Sequence, residues 1–333
     1  MYRTAAYIFY LLLTIISTKA QPRKFHFSQM KMGSPFNIIL VSDDSLKSAA
    51  LADRSFALVD SFNHLFSDYD TSSELSKINA LAGKGKQQIS PALMDIVLHS
   101  QVAYKKSRGA FDITVGSLSQ LWRKARKEKI FPGKALVDEK RKFVGFDQLL
   151  IDYKQSSIIL PHPGMRLDLG GIAKGYIAQK VIDFLKQNGI EQALADAGGD
   201  MAMSNAPVGT NGWIVGVNVP ETTDDLLPKK LALQNMAVAT SGDAYQYMEH
   251  NGLKYSHIID ARTGYGIHSQ RNVTVIAKDG ADADWLATAC SILPIEDAKK
   301  LAESMHAELL ITVLNKGRIV YYSTKGFERY WKQ

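Results

Sequence analysis

The chain lacks several features that define common classes of protein. Its 333 residues include a single cysteine, Cys290, which excludes an intramolecular disulfide and a cysteine-based metal cluster. No stretch after residue 20 approaches the ~20 apolar residues that a membrane-spanning helix needs. Basic residues are spread along the chain, so the formal charge of +7 gives little support for nucleic-acid binding. Stability must therefore come from a hydrophobic core, and 46% hydrophobic residues are enough to build one.

Several catalytic motifs are missing as well. The eight histidines form no H-E-x-x-H motif and no close pair, which argues against a zinc site. A serine nucleophile in a G-x-S-x-G turn is also absent. Basic residues are locally concentrated at 122–142, where Glu128, Asp138 and Glu139 interrupt them. This stretch is predicted to be a solvated helix–loop face.

The sequence begins with a leader. Residues 1–20, MYRTAAYIFYLLLTIISTKA, have an early charge at Arg3, an apolar run, and small residues before a cleavage point after Ala20. This layout predicts a secretory signal peptide, and no repeat or linker divides residues 21–333. We therefore expect one domain over 21–333 in an exported, periplasmic protein that is soluble or peripherally associated with the inner membrane. No cysteine near the cleavage point offers a lipid anchor.

Segments of strand period and of helix period follow along the mature chain. Hairpins outnumber strand–helix–strand units, which predicts an α+β fold with a largely antiparallel sheet and packed helices. Strands are predicted at 35–42, 165–169, 255–260 and 272–277, with hairpins at 148–161 and 308–323. Helices are predicted at 43–67, 92–107 and 294–307, from the loop that contains Gly170 and Gly171 (the glycine loop) to Gly189, and from about residue 281.

One stretch has the composition of an anion-binding loop. RLDLGGIAKGYIAQK, residues 166–180, places three glycines and Lys174 around the start of a predicted helix. Gly170 and Gly175 have the spacing of a P-loop, but Lys174 precedes the second glycine and Tyr176 follows it, so G-x-x-x-x-G-K-[ST] fails. The dinucleotide motif G-x-G-x-x-G fails too. Two interpretations stay open: a tight turn whose glycines serve packing, or a helix N-terminus that binds an anion.

Two further groups are candidates for chemistry. Asp284 and Thr288 lie four residues apart on a predicted helix, so both oxygens project from one face as hard donors that Mg²⁺ accepts. Alternatively, the Thr288 hydroxyl only donates a hydrogen bond to a backbone carbonyl of its own helix. His257 is predicted inside an apolar strand, where it is either a structural histidine or a proton acceptor near neutral pH.

Taken in order, eight segments resemble the ApbE family, the FAD:protein FMN transferases. They are KMGSPFNIIL, FSDYDTSSELSKIN, RGAFDITVGSLSQLW, RLDLGGIAKGYIAQKVIDFL, DAGGDM, ATSGDAYQYM, HIIDARTGYGI and VTVIAKDGADADWLATA. Each segment alone is a weak signal. Their shared order from about Met32 to Thr288, nearly the whole mature chain, carries the resemblance.

The resemblance implies a two-lobed, T-fold-like α+β architecture with FAD in the cleft between the lobes and Mg²⁺ on its pyrophosphate. The implied reaction moves FMN from FAD, the substrate, to a Ser or Thr hydroxyl of a target protein and releases AMP. His257 is implied as the general base, and the implied metal ligands are Asp284, Thr288 and the Gly171 carbonyl. The implied FAD contacts are Met32, Tyr69, Ala110, Phe111, Asp112, Asp168, Lys174 and the backbone of Ile258.

The resemblance also implies the partners. We expect an acceptor flavoprotein such as a subunit of an Rnf- or Nqr-like electron-transport complex, and no nucleic acid. This chain contains no Ser/Thr-Gly-Ala-Thr run of the kind the family modifies, so it is not expected to be its own acceptor. Two other outcomes stay open. Water could replace the hydroxyl, giving Mg²⁺-dependent hydrolysis of FAD to FMN and AMP, or the protein could store FAD without turnover.

The sequence departs from the family pattern after His257. The family's D-P-x-T-G turn reads Asp260-Ala261-Arg262-Thr263-Gly264 here, and its G-Y-P reads Gly264-Tyr265-Gly266. Because each exchange removes a proline, both predict a looser loop without loss of a side-chain ligand. Activity is still expected.

Overall fold

The computed structural model of the chain describes residues 21–218, 226–242, 247–268 and 271–332. The predicted signal peptide, residues 1–20, lies outside the described residues. Within them the α-helices are α1 (Ser45–Phe66), α2 (Glu74–Ala80), α3 (Pro91–Ser107), α4 (Gly116–Glu128), α5 (Lys134–Arg141), α6 (Ala173–Gln187), α7 (Gly280–Ile292) and α8 (Ile295–Ser304). Short 3-10 helices cover Phe146–Gln148 and Phe327–Tyr330.

The strands of the described ranges are short in the middle of the chain and longer at its two ends. They are β1 (Arg23–Lys31), β2 (Ser34–Ser42), β3 (Gln87–Gln88), β4 (Leu150–Asp152), β5 (Ser157–Ile159), β6 (Ala193–Asp196), β7 (Met201–Met203), β8 (Trp213–Val215), β9 (Leu231–Leu233), β10 (Met236–Ser241), β11 (Tyr247–His250), β12 (Leu253–Ser256), β13 (Ile259–Asp260), β14 (Tyr265–Gly266), β15 (Arg271–Ala277), β16 (Glu308–Asn315) and β17 (Arg318–Ser323).

The main sheet joins the two ends of the chain. Its strand order is β1-β2-β6-β7-β10-β15-β16-β17, and every neighbouring pair is antiparallel. Smaller sheets are formed by β3-β5-β4, β8-β9, β11-β12 and β13-β14. The predicted α+β fold with a largely antiparallel sheet is confirmed.

The main sheet buries both of its faces, because side chains alternate along each strand. On β10, Ala237 and Ala239 belong to the large core beneath the helices, whereas Val238 belongs to the cluster on the opposite face. Helices α1, α6 and α7 pack on the first face. The second face is covered by β8, β9 and the C-terminal segment, with Trp213 and Phe327 buried there.

A third apolar cluster is built around Trp122 on α4, together with Leu118 and Val137. Tyr255 and Tyr265, from the hairpins β11–β12 and β13–β14, pack against it. The Trp122 indole stacks on Tyr255 with ring centroids 5.8 Å apart, and its Nε1 donates to the Gly264 carbonyl at 2.8 Å. Helix α4 therefore anchors the hairpins that flank His257.

Most predicted elements are found within two or three residues of their predicted ends, but 165–169 is not a strand. This segment makes only a bridge between Arg166 and Val115. The reason is a contact with Asn79, 88 residues away in the chain: the Leu167 N–H donates to Asn79 Oδ1 at 2.7 Å, and Asn79 Nδ2 donates to the Leu167 carbonyl at 2.9 Å. An asparagine side chain thus takes the place of a neighbouring strand.

Among the helices described, none combines the length and apolar character needed to span a bilayer.

Candidate active site

One cavity of about 990 Å³ brings together all the residues that the family resemblance implies for the site. Its walls come from the β1–β2 turn, the end of α1, the segment before α4, the glycine loop, the start of β13 and helix α7. The implied residues on these walls are Met32, Tyr69, Ala110, Phe111, Asp112, Asp168, Gly171, Lys174, His257, Ile258, Asp284 and Thr288. The volume lies at the upper end of the range for small-molecule sites, as a dinucleotide requires.

The glycine loop meets α7 at a close contact between two helices. A Cβ on Gly175 would lie 2.0 Å from the Gly280 carbonyl oxygen and 2.7 Å from Asp284 Cβ. A Cβ on Gly280 would lie 2.1 Å from the Gly175 carbonyl oxygen. Both positions must be glycine for α6 and α7 to pack at this distance. The packing interpretation of the loop therefore holds for Gly175.

The same contact places Asp284 at the N-terminus of α6. Its buried Oδ2 accepts a hydrogen bond from the Gly175 N–H at 3.0 Å. Residue Ile172, the N-cap of α6, makes no side-chain capping bond, so Asp284 provides a cap from α7. The negative charge at this helix N-terminus is thus a carboxylate of the protein itself.

Two carboxyl groups lie close together at this end of the cavity. Burial raises the pKa of Asp284 to about 6, against the opposing effects of the Gly175 hydrogen bond and the Lys174 charge. Burial and the nearby Asp284 carboxylate raise the pKa of Asp200, which also lines the cavity, well above its usual range. Within the described ranges, no group of three or more His, Cys, Asp or Glu could hold a metal ion. A cation here would therefore depend on few carboxylates and on neutral oxygens.

Gly171 and Thr288 supply such oxygens on adjacent walls. A Cβ on Gly171 would lie 3.0 Å from Thr288 Oγ1 and 3.2 Å from Phe111 Cε2. The bare main chain of Gly171 therefore lies beside the Thr288 hydroxyl, one helical turn beyond Asp284. Phe111 is buried behind this wall and packs against Trp285, with ring centroids 6.2 Å apart.

His257 projects from an irregularity between β12 and β13, so the predicted continuous strand 255–260 is wrong. The Ser256 N–H donates to the Ile267 carbonyl at 3.0 Å, and the Ile267 N–H donates to the Ile258 carbonyl at 2.9 Å. Two residues of one strand share one partner, as in a β-bulge, and bulges re-aim side chains near active sites. The half-buried His257 thereby lines the cavity.

The backbone of Ile258, an implied flavin contact, is already hydrogen-bonded within the protein. Its N–H donates to Ser256 Oγ at 3.1 Å, and its carbonyl accepts from Ile267. A ligand contact by this backbone would therefore use the second lone pair of the carbonyl oxygen.

The side chain of Asp112 is likewise committed to internal bonds. Oδ1 accepts from the Thr114 N–H at 2.8 Å and from Thr114 Oγ1 at 2.6 Å, and Oδ2 accepts from the Phe146 N–H at 3.1 Å. Burial raises the pKa of Asp112, although these hydrogen bonds oppose the shift. The carboxylate shapes the cavity wall, and contact with a ligand would fall mainly to the neighbouring main chain.

Met32 reaches the cavity from the tight turn between β1 and β2. Met32 and Gly33 have φ angles of +52° and +79°, the left-handed conformation that a two-residue type I′ turn requires at both positions. The pairing of Lys31 with Ser34 fixes the register of this hairpin. The Met32 side chain packs on the large core while lining the cavity.

Arg123 on α4 is a cavity residue that sequence reasoning missed. Its Nη2 donates to Asp168 Oδ2 at 2.8 Å, its Nη1 donates to Asp68, and its guanidinium lies 4.2 Å from the centroid of the Tyr69 ring. The other oxygen of Asp168 accepts from the Gly170 N–H at 2.8 Å. One guanidinium therefore ties α4 to two implied FAD contacts, Tyr69 and Asp168.

The basic stretch 122–142 is thus not wholly a solvated face, because Arg123 and Arg126 both line the cavity. Burial and the neighbouring Arg123 charge lower the pKa of Arg126. The helical spacing of the apolar residues on α4 could have indicated this. Leu118, Trp122 and Ala125 form its buried face, so Arg123 and Arg126, next to this face, lie at the edge of the core. Asp200 lies in DAGGDM, a segment already recognised by its order in the sequence.

Comparison with known proteins identifies the family. The family model described as the ApbE family matches residues 32–311. The FAD:protein FMN transferase of Klebsiella pneumoniae (strain 342) is 32% identical over 275 residues, covering 82% of this chain and 84% of the relative. The solved flavin transferase ApbE from Vibrio cholerae superimposes with a TM-score of 0.81 at 26% identity, covering 93% of this chain and 99% of that chain. The ApbE protein from Thermotoga maritima gives 0.84 at 27% identity, covering 93% and 100%.

The antiparallel α+β fold and its cavity, together with these relatives, define an enzyme of the flavin transferase class and not a P-loop or doubly wound nucleotide-binding protein. The chain belongs to the ApbE family. The family, the fold class and the enzyme class predicted from the sequence are confirmed. The roles of the individual site residues stay predictions.

Proposed function

We propose that this chain catalyses the Mg²⁺-dependent transfer of FMN from FAD to a Ser or Thr hydroxyl of an acceptor protein, with release of AMP. The observation that supports it best is the cavity itself. Twelve residues implied by family resemblance, drawn from segments between Met32 and Thr288, line one space of about 990 Å³. The names of the relatives support FAD as donor and a protein as acceptor.

The donor set fits Mg²⁺. Asp284 is a buried carboxylate whose pKa is raised by burial, and a cation would relieve the cost of its charge. The Thr288 hydroxyl and the Gly171 main chain lie beside it, and Mg²⁺ prefers a few oxygen ligands together with phosphate oxygens. We therefore assign these three residues to the cation. When bound, Mg²⁺ would offset negative charge on the diphosphate oxygens.

The remaining residues of the chain hold and orient the donor. Lys174, close to the two carboxyl groups at the start of α6, provides a positive charge for the diphosphate. The Tyr69 side chain is 76% exposed and lies over the Arg123 guanidinium, so it offers an aromatic surface to the flavin ring. Asp168, oriented by Arg123 and the Gly170 N–H, presents a fixed carboxylate beside the glycine loop.

His257 is proposed as the general base. A neutral imidazole on the cavity wall can take the proton of the attacking Ser or Thr hydroxyl as the oxygen bonds to the FMN phosphorus and AMP leaves. The bulge between β12 and β13 directs this side chain into the cavity while the hairpins stay anchored to Trp122. Export to the periplasm and an acceptor of the Rnf or Nqr type belong to the same proposal.

The test is a reaction of the purified protein with FAD, Mg²⁺ and a protein that carries a Ser/Thr-Gly-Ala-Thr run. We expect AMP in solution and a fluorescent acceptor band on a denaturing gel, both abolished when Mg²⁺ is chelated. The variant His257→Ala should slow transfer by roughly 10² to 10⁴ without weakening FAD binding. The matched control is His26→Ala, an exposed histidine on β1 outside the cavity. AMP without a labelled acceptor would instead indicate hydrolysis, and neither product would indicate FAD storage.

A further inference from the structure

A second groove of about 730 Å³ lies next to the cavity. One wall is formed by the segment from Asp260 to His268, and the opposite wall by the junction of α7 and α8 from Ser291 to Pro294. Two features place the groove directly beside the cavity. Ile292 lines both, and the chain passes from His257 in the cavity to Asp260 in the groove within three residues.

Both walls of the groove are held by specific bonds. Arg262 donates to its neighbour Asp260 through Nε at 2.9 Å and Nη2 at 2.8 Å, and Arg141 donates to the Arg262 carbonyl at 2.8 Å. These bonds hold the turn in which Ala261 replaces the family's proline, and its greater looseness stays a prediction. On the other side, Arg271 donates to the carbonyls of Ser291 and Leu293, which close the C-terminus of α7.

The lining of the groove indicates what it binds. Tyr255, Tyr265, Ile267 and Pro294 give it an aromatic and apolar floor. Its two arginines already donate within the protein, Arg262 to the Asp260 carboxylate and Arg271 to the carbonyls of Ser291 and Leu293, so these donor groups serve the groove walls. An aromatic and apolar floor with polar side chains at its edge is typical of a surface that binds a protein segment.

We infer that this groove binds the acceptor segment of the partner protein and delivers its Ser or Thr hydroxyl to His257. The inference rests on the proposed function, since it needs an acceptor that is a protein. FAD in the main cavity and the acceptor in the groove would then meet at His257 and Ile292. The hydroxyl oxygen forms a bond to the FMN phosphorus, the phosphorus–oxygen bond to AMP breaks, and the hydroxyl proton passes to His257.

A cysteine introduced into the groove tests this inference. Thr263 is exposed on the groove wall, and the native Cys290 is fully buried, so Thr263→Cys can be alkylated selectively with a polyethylene glycol maleimide. The matched control is Leu46→Cys, which is 83% exposed on α1 and lines neither the cavity nor the groove. The probe is a synthetic peptide that carries a Thr-Gly-Ala-Thr run, and FAD binding is followed by flavin fluorescence.

Alkylated Thr263→Cys should transfer FMN to the peptide at least ~10-fold more slowly than alkylated Leu46→Cys, a difference that corresponds to about 1.4 kcal/mol. The FAD affinities of the two alkylated proteins should agree within about twofold. In a second measurement, the peptide should slow the alkylation of Thr263→Cys and leave that of Leu46→Cys unchanged. Equal transfer by the two alkylated proteins, or no protection by the peptide, would overturn the inference. Failure of the unmodified enzyme to release AMP or label the peptide would count against the proposed function, while the protection measurement would still decide the groove.

Discussion

Removing the Arg123 guanidinium should weaken both the fold and the FAD site. The change Arg123→Met keeps most of the aliphatic stem and deletes the charge. Asp68 and Asp168 have side chains only 8% and 9% exposed, and they would face each other without the cation that now bridges them. Losing one partner of a fully buried ion pair costs about 3–5 kcal/mol, and an exposed pair contributes at most about 1 kcal/mol. Because the Arg123 side chain is 24% exposed, we expect about 2 kcal/mol.

The effect on FAD follows from the same contacts. Tyr69 would lose a cation–π contact of about 0.5–1 kcal/mol, and Asp168 would lose one of its two orienting hydrogen bonds. Together these losses should weaken FAD binding roughly tenfold, or about 1.4 kcal/mol. Arg123→Lys should restore part of the stability and little of the FAD affinity, because an ammonium group cannot bridge two carboxylates in a planar fork.

The measurements are chemical denaturation of the FAD-free protein and titration with FAD by fluorescence quenching. Lys124→Met on the same helix is the control, because its exposed pair with Glu128, 3.9 Å apart, contributes only about 0.4 kcal/mol. The argument is refuted if the Arg123 variant unfolds and binds FAD like this control.

The pH dependence gives a further check on the same variant. The pKa of Asp68 is already raised by burial and by Asp168, while Arg123 opposes the shift. Without Arg123 the pKa rises further, so the folded state would hold a proton that the unfolded chain releases. The variant should therefore gain stability as the pH falls through the folded pKa towards the ordinary value near 4, and a constant deficit across this window would contradict the assignment.

Three other predictions concern single residues. Asp284→Asn keeps an oxygen that can accept from the Gly175 N–H but removes the charge, so we expect AMP release to fall about 100-fold without loss of unfolding stability, and Mg²⁺ plus FAD should no longer raise the unfolding midpoint. Gly175→Ala should destabilise the protein by about 3 kcal/mol in denaturation, because its Cβ would meet the Gly280 backbone, whereas Gly133→Ala, with open space around its Cβ, should change stability by less than about 0.5 kcal/mol. Burial raises the pKa of the Cys290 thiol to about 12, so alkylation of this cysteine should follow global unfolding, and rapid reaction in the native state would contradict its burial.

The sequence was sufficient to predict the elements whose periodicity is strong. Helix α1 begins after its Asp44 cap, and the hairpin β16–β17 turns at Lys316 and Gly317, because local patterns decide both features. The position of His257 could not be read in this way. Its bulge is set by Ile267, which bonds to Ser256 and Ile258 from eleven and nine residues further along the chain. Periodicity within 255–260 contains no information on that partner.

The candidate site shows the same division. The resemblance to the family, carried by segments in a shared order, implied twelve residues that all line one cavity. It did not indicate Arg123, whose partners Asp68 and Asp168 lie 55 and 45 residues away in the chain. A basic residue in a basic helix looks solvated until its neighbours in space are known. Resemblance also could not show that the Asp112 carboxylate is occupied by Thr114 and Phe146.

The contact between α6 and α7 joins the fold to the proposed chemistry. Two glycines, Gly175 and Gly280, allow the helices to approach, and this approach brings Asp284 to the N-terminus of α6. A buried carboxylate is unfavourable there unless something offsets its charge, and burial raises its pKa accordingly. The packing that stabilises the core thus creates a local need for a cation. The packing interpretation of the glycine loop therefore holds for Gly175, whereas binding of a diphosphate near this helix N-terminus stays a prediction that needs the proposed cation to offset the Asp284 charge.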